Sequence, residues 1–307
     1  MRRPLLACAA AAALALSLLG GGTASADDSG KDLPVPYTFL PTVIAGGMPG
    51  ANAPGTNDWD CTPSAAHPDP VILVHGTFGN RATNWQTYGP LLKNEGYCVF
   101  ALNYGMNSSP GELLGGQDRI EDSAAELADF VQQVLAATGA EKVDLIGHSQ
   151  GTVMPQYYVR FLGGAEYVDD YIGLASAWHG TLTNLGLPAL AAAFGFDAIE
   201  ASPVCKACLQ LTPPSEFLDS IRDGGVATEG ITYTNIVTRY DNVVIPWTSG
   251  IEEGMTNIVV QDTCAIDFSD HLSVVSSRTA ADLVLNALDP EHPRKVRCSF
   301  HLPSIGS

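Results

Sequence analysis

KVDLIGHSQGTVMPQYYVRFL, residues 142–162, is the stretch that decides the fold. Lys142 to Gly147 reads as a strand and Gln150 to Leu162 as a helix. Between them Gly147-His148-Ser149-Gln150-Gly151 forms the G-x-S-x-G pattern of a nucleophile elbow in the context that pattern requires, after a strand and before a helix. Glycine is needed at both ends because the turn is sharp and side chains there would collide with neighbouring backbone. The Ser149 hydroxyl is thereby presented at a helix head, whose positive end favours developing negative charge. The alternative is a tight strand-to-helix turn with an idle serine.

Outward from this turn, short apolar runs alternate with helical ones. Val71 to His75 is a continuous apolar run closed by Gly76, as expected of a strand buried on both faces. Cys98 to Tyr104 repeats that signal, and strands are also expected at Tyr171–Ala175, Ile231–Thr238 and Asn257–Val260. Ile120, Ala124, Leu127, Val131, Val134 and Leu135 recur at helical spacing, predicting an amphipathic helix over Gln117–Thr138. A last helix is expected over Leu272–Leu288. This order implies an α/β fold with a mostly parallel sheet covered on both faces, its reactive groups at the carboxyl ends of the strands. About 55 residues separate the strand near Ala175 from the one near Ile231, long for a loop. This insertion, residues 180–228, is either a lid or cap above the sheet or an accessory helix pair completing the core. The stretches 27–70 and 289–307 read as extended arms.

A serine hydroxyl attacks only with a base beside it. In the chain order nucleophile, acid, histidine, His271 is the candidate base and His292 its rival. Asp241, directly after ITYTNIVTRY, is the candidate acid, with Asp262, Asp267 and Asp270 competing by proximity to His271. Acyl transfer also needs donors for the oxyanion. The amide of Gln150, directly after the serine, is one. The turn after the first strong strand supplies the other at Thr77, through its amide, with its hydroxyl as a further donor, and with His75 bracing that turn.

The amino-terminal segment has a different character. Arg2 and Arg3 precede an apolar run from Leu5 to Leu19, then three glycines and Ala24-Ser25-Ala26, a secretory signal pattern over residues 1–26. The run is too short to span a bilayer, and no other stretch is long enough, so no transmembrane segment is expected. The remaining 281 residues, 27–307, are expected to form one domain with 13 basic against 33 acidic residues, net −20. Nothing clusters Lys and Arg, which excludes nucleic acid as a partner, and the acid excess is expected to maintain solubility outside the cell. Six cysteines remain, an even number in an exported chain. Of 15 possible pairings, order along the chain favours Cys61–Cys98, Cys205–Cys208 and Cys264–Cys298. The rival for Cys205-Lys206-Ala207-Cys208 is a zinc site, but it has no second CxxC or nearby His pair, so no metal is expected.

The pieces VILVHGTFGN, GHSQG with MPQYYVRFLGG, SAWHGT, TRYDNVVIPWTSG and NIVVQD followed by DHLSVV run in order over residues 71–276. Together they resemble secreted bacterial lipases and esterases of the α/β-hydrolase superfamily, the class 2 lipase type. The resemblance implies Ser149, Asp241 and His271 as the triad and Thr77 and Gln150 as the oxyanion hole. It gives His179 a structural role, and it implies cleavage of carboxylic esters, often triacylglycerols, without a cofactor. The single glycine after His75 implies medium or long acyl chains. Thr152 departs from the family, where a further glycine is common, and the insertion with its CxxC has no counterpart in the resemblance. The expectation is therefore a secreted serine ester hydrolase acting on a lipid or polyester surface, with a monomer favoured. The alternatives are a cutin- or suberin-type polyester hydrolase, a short-chain carboxylesterase, an acyltransferase, and a non-catalytic binding protein of the same fold.

Overall fold

In a computed structural model, residues 32–46, 50–106, 113–181 and 205–307 are described. The signal expected over residues 1–26 and residues 182–204 of the expected insertion lie outside them. β1 (Val71–Val74), β2 (Val99–Ala101), β3 (Val143–His148), β4 (Val168–Leu174), β5 (Thr232–Val237) and β6 (Thr256–Val259) form one sheet in the order β2-β1-β3-β4-β5-β6. Every pairing is parallel. The apolar runs of β1 and β3 are wholly buried, as central strands covered on both faces must be. The edge strand β6 is only half-buried.

α1 (Leu40–Gly46) precedes the sheet, and α2 (Tyr88–Asn94), α3 (Ile120–Thr138) and α4 (Gln150–Phe161) connect its first four strands. The α3 stripe Ile120, Ala124, Leu127, Val131 and Val134 is buried, so truncating Leu127 to Ala would cost about 2–5 kcal/mol. This helix begins at Ile120, not at Gln117 as expected. The carbonyl of Gln117 accepts the amides of Lys206 and Ala207, at 2.8 and 3.3 Å, while the Gln210 side chain accepts the Ile120 amide at 2.8 Å. These contacts seat α5 (Lys206–Gln210) on the head of α3. The neighbouring α6 (Glu216–Arg222) is held by Arg160, whose guanidinium donates to the carbonyls of Ile221, Asp223 and Gly225. The described part of the insertion is thus tied down to α3 and α4.

After β6 come α7 (Val260–Thr263), a tight turn over Ser273–Ser276 and α8 (Arg278–Leu288). The helix expected from Leu272 is delayed because the Ser277 hydroxyl caps α8, accepting the Ala280 amide at 3.1 Å and donating to Asp267 at 2.5 Å. β2 is shorter than expected because the chain leaves the sheet at Leu102. The Asn103 side chain accepts the Arg81 amide at 2.8 Å, and the Tyr104 hydroxyl donates to the His75 carbonyl at 2.6 Å.

The two arms pair with each other. Phe39 N–H donates to Ile305 O at 2.7 Å and Ser307 N–H to Tyr37 O at 2.9 Å. Disulfides join Cys61 to Cys98, Cys205 to Cys208 and Cys264 to Cys298. The third ties the carboxyl-terminal arm to the segment just before His271. Closing loops of 37 and 34 residues, the first and third each remove about 4 kcal/mol of unfolded-state entropy in the chain-entropy account.

At the amino ends of the strands, opposite the serine turn, Asp69, Asp144 and Asp169 bring carboxylate oxygens within 4.8 Å of one another. Asp144 accepts the Asp170 amide at 3.1 Å, and Lys142 pairs with Asp169 at 2.7 Å. Burial and then neighbouring carboxylates push Asp144 well above the ordinary aspartate range and Asp170 up to about 6. No helix among the described residues is long and apolar enough to cross a membrane.

Candidate active site

The register Val74↔Gly147 between β1 and β3 ends both strands at the same level. The turn after β1 and the turn holding Ser149 therefore lie side by side. A Cβ on Gly147 would collide with the Gly151 carbonyl, and one on Gly151 with the Val74 carbonyl. Ser149 itself has φ 56° and ψ −122°, a conformation that costs an L-residue of order 1–3 kcal/mol and persists only because its surroundings enforce it.

His271 lies 122 residues further on, yet its Nε2 is 2.9 Å from Ser149 Oγ. Its Nδ1 is 2.8 Å from Asp241 Oδ2. A carboxylate only accepts, so Nδ1 carries the proton and Nε2 is left with the lone pair that accepts from the serine hydroxyl. The side chains of His271 and Asp241 are buried, and Asp241 Oδ1 is held by the amides of Val243 and Val244 at 2.9 and 2.7 Å. The loops carrying Asp241 and His271 are joined by Thr238, whose hydroxyl donates to Ser269 O at 2.6 Å, and by Gln261, whose amide nitrogen donates to Thr238 Oγ1 and Asp267 O, each at 2.9 Å.

The competing residues are elsewhere. His292 is exposed and paired with Asp289 at 3.0 Å. Asp262 pairs with Arg239, and Asp267 anchors Ser269 and Ser277. Asp270 spends its oxygens on Ser273 and on the amide and hydroxyl of Ser304 in the carboxyl-terminal arm. His179 stands between Arg222 and Glu252, away from the serine.

Thr77 and Gln150 meet across the gap between the two turns, the Thr77 hydroxyl donating to Gln150 Oε1 at 2.5 Å. That hydroxyl proton is therefore engaged by the glutamine. The backbone amides of Thr77 and Gln150 have no acceptor among the described residues. His75 stacks on Tyr104 with ring centres 4.2 Å apart, and its Nδ1 donates to Gly76 O at 2.8 Å. Burial lowers its pKa to about 4, so it is a neutral brace for the turn.

His148 and Asn84 carry a role that composition and spacing did not signal. His148 Nε2 lies 2.9 Å from the His271 carbonyl and Nδ1 3.0 Å from the Asn84 side chain, which also reaches the Gly76 amide at 3.3 Å. Burial, reinforced by repulsion from His271, lowers His148 to about 3, so the ring is neutral with a single N–H. The single N–H can serve only one of these two acceptors, and donation from Nε2 to the His271 carbonyl is the one that ties the ring to the His271 loop, while Asn84 Oδ1 accepts the Gly76 amide. Asn84 and His148 thereby link the turn after β1, the serine turn and the His271 loop. The cleft over Ser149 is lined by Phe39, Thr77, Thr83, His148, His271 and Leu272.

The model of the class 2 lipase family matches residues 68–284, the segment that supplies Thr77, Ser149, Gln150, Asp241 and His271. The chain belongs to the class 2 lipase family. The chain is 36% identical over 124 residues to a triacylglycerol lipase of Burkholderia plantarii, covering 38% of this chain and 32% of that protein. It is 40% identical over 94 residues to a triacylglycerol lipase of Pseudarthrobacter phenanthrenivorans, covering 29% of this chain and 27% of that one. The matched segment thus spans about a third or less of each relative. Among solved structures, Aspergillus fumigatus lipase B superposes with a TM-score of 0.58 at 19% identity, over 81% of this chain and 64% of that one. The mature form of a Bacillus licheniformis lipase gives 0.51 at 18%, over 80% and 99%. At such identity the likeness establishes the α/β-hydrolase fold.

Proposed function

We propose that the protein is a secreted serine carboxylic-ester hydrolase, a lipase acting on fatty-acyl esters through an acyl-enzyme. The observation that carries this reading is the hydrogen-bonded line from Ser149 through His271 to Asp241. His271 Nε2 takes the Ser149 proton as Oγ bonds the ester carbonyl carbon, and the carbonyl electrons move onto oxygen. The amides of Thr77 and Gln150 receive that oxyanion. As the tetrahedral species collapses, the C–O bond to the alcohol breaks and His271 returns the proton to the leaving oxygen. Water then repeats the sequence on the acyl-enzyme and releases the acid. Asp241 holds the His271 tautomer and stabilises the imidazolium without taking the proton.

The domain reading that accompanies it is removal of residues 1–26, export, and one hydrolase domain over 27–307 in which 180–228 is an insertion with a cap-like role. Three cystine bridges in the chain fit an oxidising compartment. The test is covalent labelling by an organophosphonate. Ser149→Ala is expected to abolish labelling and hydrolysis of a soluble ester, and persistent labelling at another serine would overturn the assignment. Triolein emulsion, short soluble esters and polyester film, assayed side by side, identify the substrate class.

A further inference from the structure

Two stretches of this acidic chain carry almost no charge. Leu33 to Asn57 contains no Asp, Glu, Lys, Arg or His, and from Cys298 to Ser307 the one ionisable side chain is His301. That histidine is fully buried, and burial lowers its pKa, which favours the neutral ring. In a sequence with 33 acidic and 15 basic residues, these two stretches are the ones that pair edge to edge, through Phe39 with Ile305 and Leu40 with Ser304.

The strip they form is apolar and open. Leu40 and Ile44 lie one turn apart on one face of α1 and are 42% and 76% exposed, while Leu302 and Ile305 of the facing arm are 40% and 50% exposed. Asp270, which holds Ser304 of the arm from beneath, is buried and its oxygens are taken by Ser273 and Ser304. The strip runs into the cleft, since Phe39, directly before α1, lines it beside Leu272, His271 and Ser149.

We infer that this strip of α1 and the carboxyl-terminal arm is the face that adsorbs to the surface of an aggregated, uncharged ester, a lipid–water interface. The inference rests on the ester-hydrolase reading and adds where the substrate phase is met. A single exposed leucine needs no explanation, but a contiguous apolar strip rimming a cleft marks an interaction surface. A second copy of the chain is a poor occupant, because it would bring another formal charge of −18 close by and would cover the cleft. An anionic surface is disfavoured for the same electrostatic reason. A neutral ester surface meets neither objection, and it delivers substrate to the cleft.

The test uses the full chain carrying Ser149→Ala, so that adsorption is read without turnover and independently of the labelling result above. Flotation with triolein droplets coated in phosphatidylcholine reports the bound fraction. Ile44→Glu with Ile305→Glu is expected to weaken adsorption at least tenfold at an unchanged melting temperature, and Ile44→Trp to strengthen it. Leu162→Glu, at the far end of α4 from Ser149 and 41% exposed, is expected to stay within twofold. Adsorption unaffected by the glutamates, or equally weakened by Leu162→Glu, would overturn the inference. So would a dimer in sedimentation that Ile44→Glu dissociates.

Discussion

Asp170 offers a quantitative test, because it stands far from Ser149 and its protonation is set by the fold. With its carboxyl held up at about 6, against about 3.9 for an unfolded aspartate, it binds a proton about a hundredfold more tightly in the folded chain. At 1.36 kcal/mol per decade that is about 3 kcal/mol, and solvent screening of this partly exposed group halves it to about 1.5. An acid with a raised folded pKa stabilises the fold when protonated. The contribution is therefore fully present below about pH 4 and is lost as pH rises through about 6. Asp170→Asn removes the titration and keeps the shape. Denaturant unfolding followed from pH 4 to 8 is expected to show Asp170→Asn equal to the parent near pH 4. Near pH 7.5 it should be more stable by about 1.5 kcal/mol, a rise of about 3 °C in melting temperature for a chain of this size. Equal stability at every pH, or a loss at pH 7.5, would refute the account, because ionised Asp170 would then cost nothing beside Asp169.

Three further outcomes follow from the geometry. Asp241→Asn is expected to lower kcat by about 10³–10⁴ with the melting temperature nearly unchanged, since the amide no longer enforces the His271 tautomer; steady-state kinetics on a soluble ester checks it. His148→Phe breaks the tie to the His271 carbonyl and is expected to lower kcat/KM about tenfold, a hydrogen bond's worth. His148→Gln, which restores a donor, should recover most of that loss. Replacing Cys264 and Cys298 together by Ala is expected to destabilise the chain by about 3–4 kcal/mol, read by denaturant unfolding, and to loosen the His271 loop that the bridge ends beside.

How much of this was legible beforehand depended on distance along the chain. The serine turn is local, and Gly147 and Gly151 announce it because backbone contact forbids a Cβ at either place. Asp241 and His271 were picked from chain order, and the sheet brings His271 to Ser149 across 122 residues. The delayed start of α8 had a visible signal in Ser277, a good cap that the apolar pattern overrode. α1 had one in Pro41, near the start of a helix, hidden in a stretch rich in proline and glycine. The bonds from His148 to Asn84 and to the His271 carbonyl had none, being pairings across 64 and 123 residues. The grip of Asp270 on Ser304, and the pairing of the two arms, are equally non-local. No periodicity records such contacts, because they depend on where two loops arrive after the sheet has formed.

The separation of serine and base also governs timing. Ser149 emerges during synthesis long before His271, and the loop holding the histidine is anchored by the last strand, by Cys298 and by Ser304 at the far end of the chain. Contacts of such sequence separation form late. On the proposed mechanism the hydroxyl of Ser149 has no base until they do, and the nascent chain is expected to be chemically silent toward esters. Reactivity toward a phosphonate is therefore expected to report the final folding step, and a chain that stalls with its sheet complete but its end undocked is expected to be compact and inert.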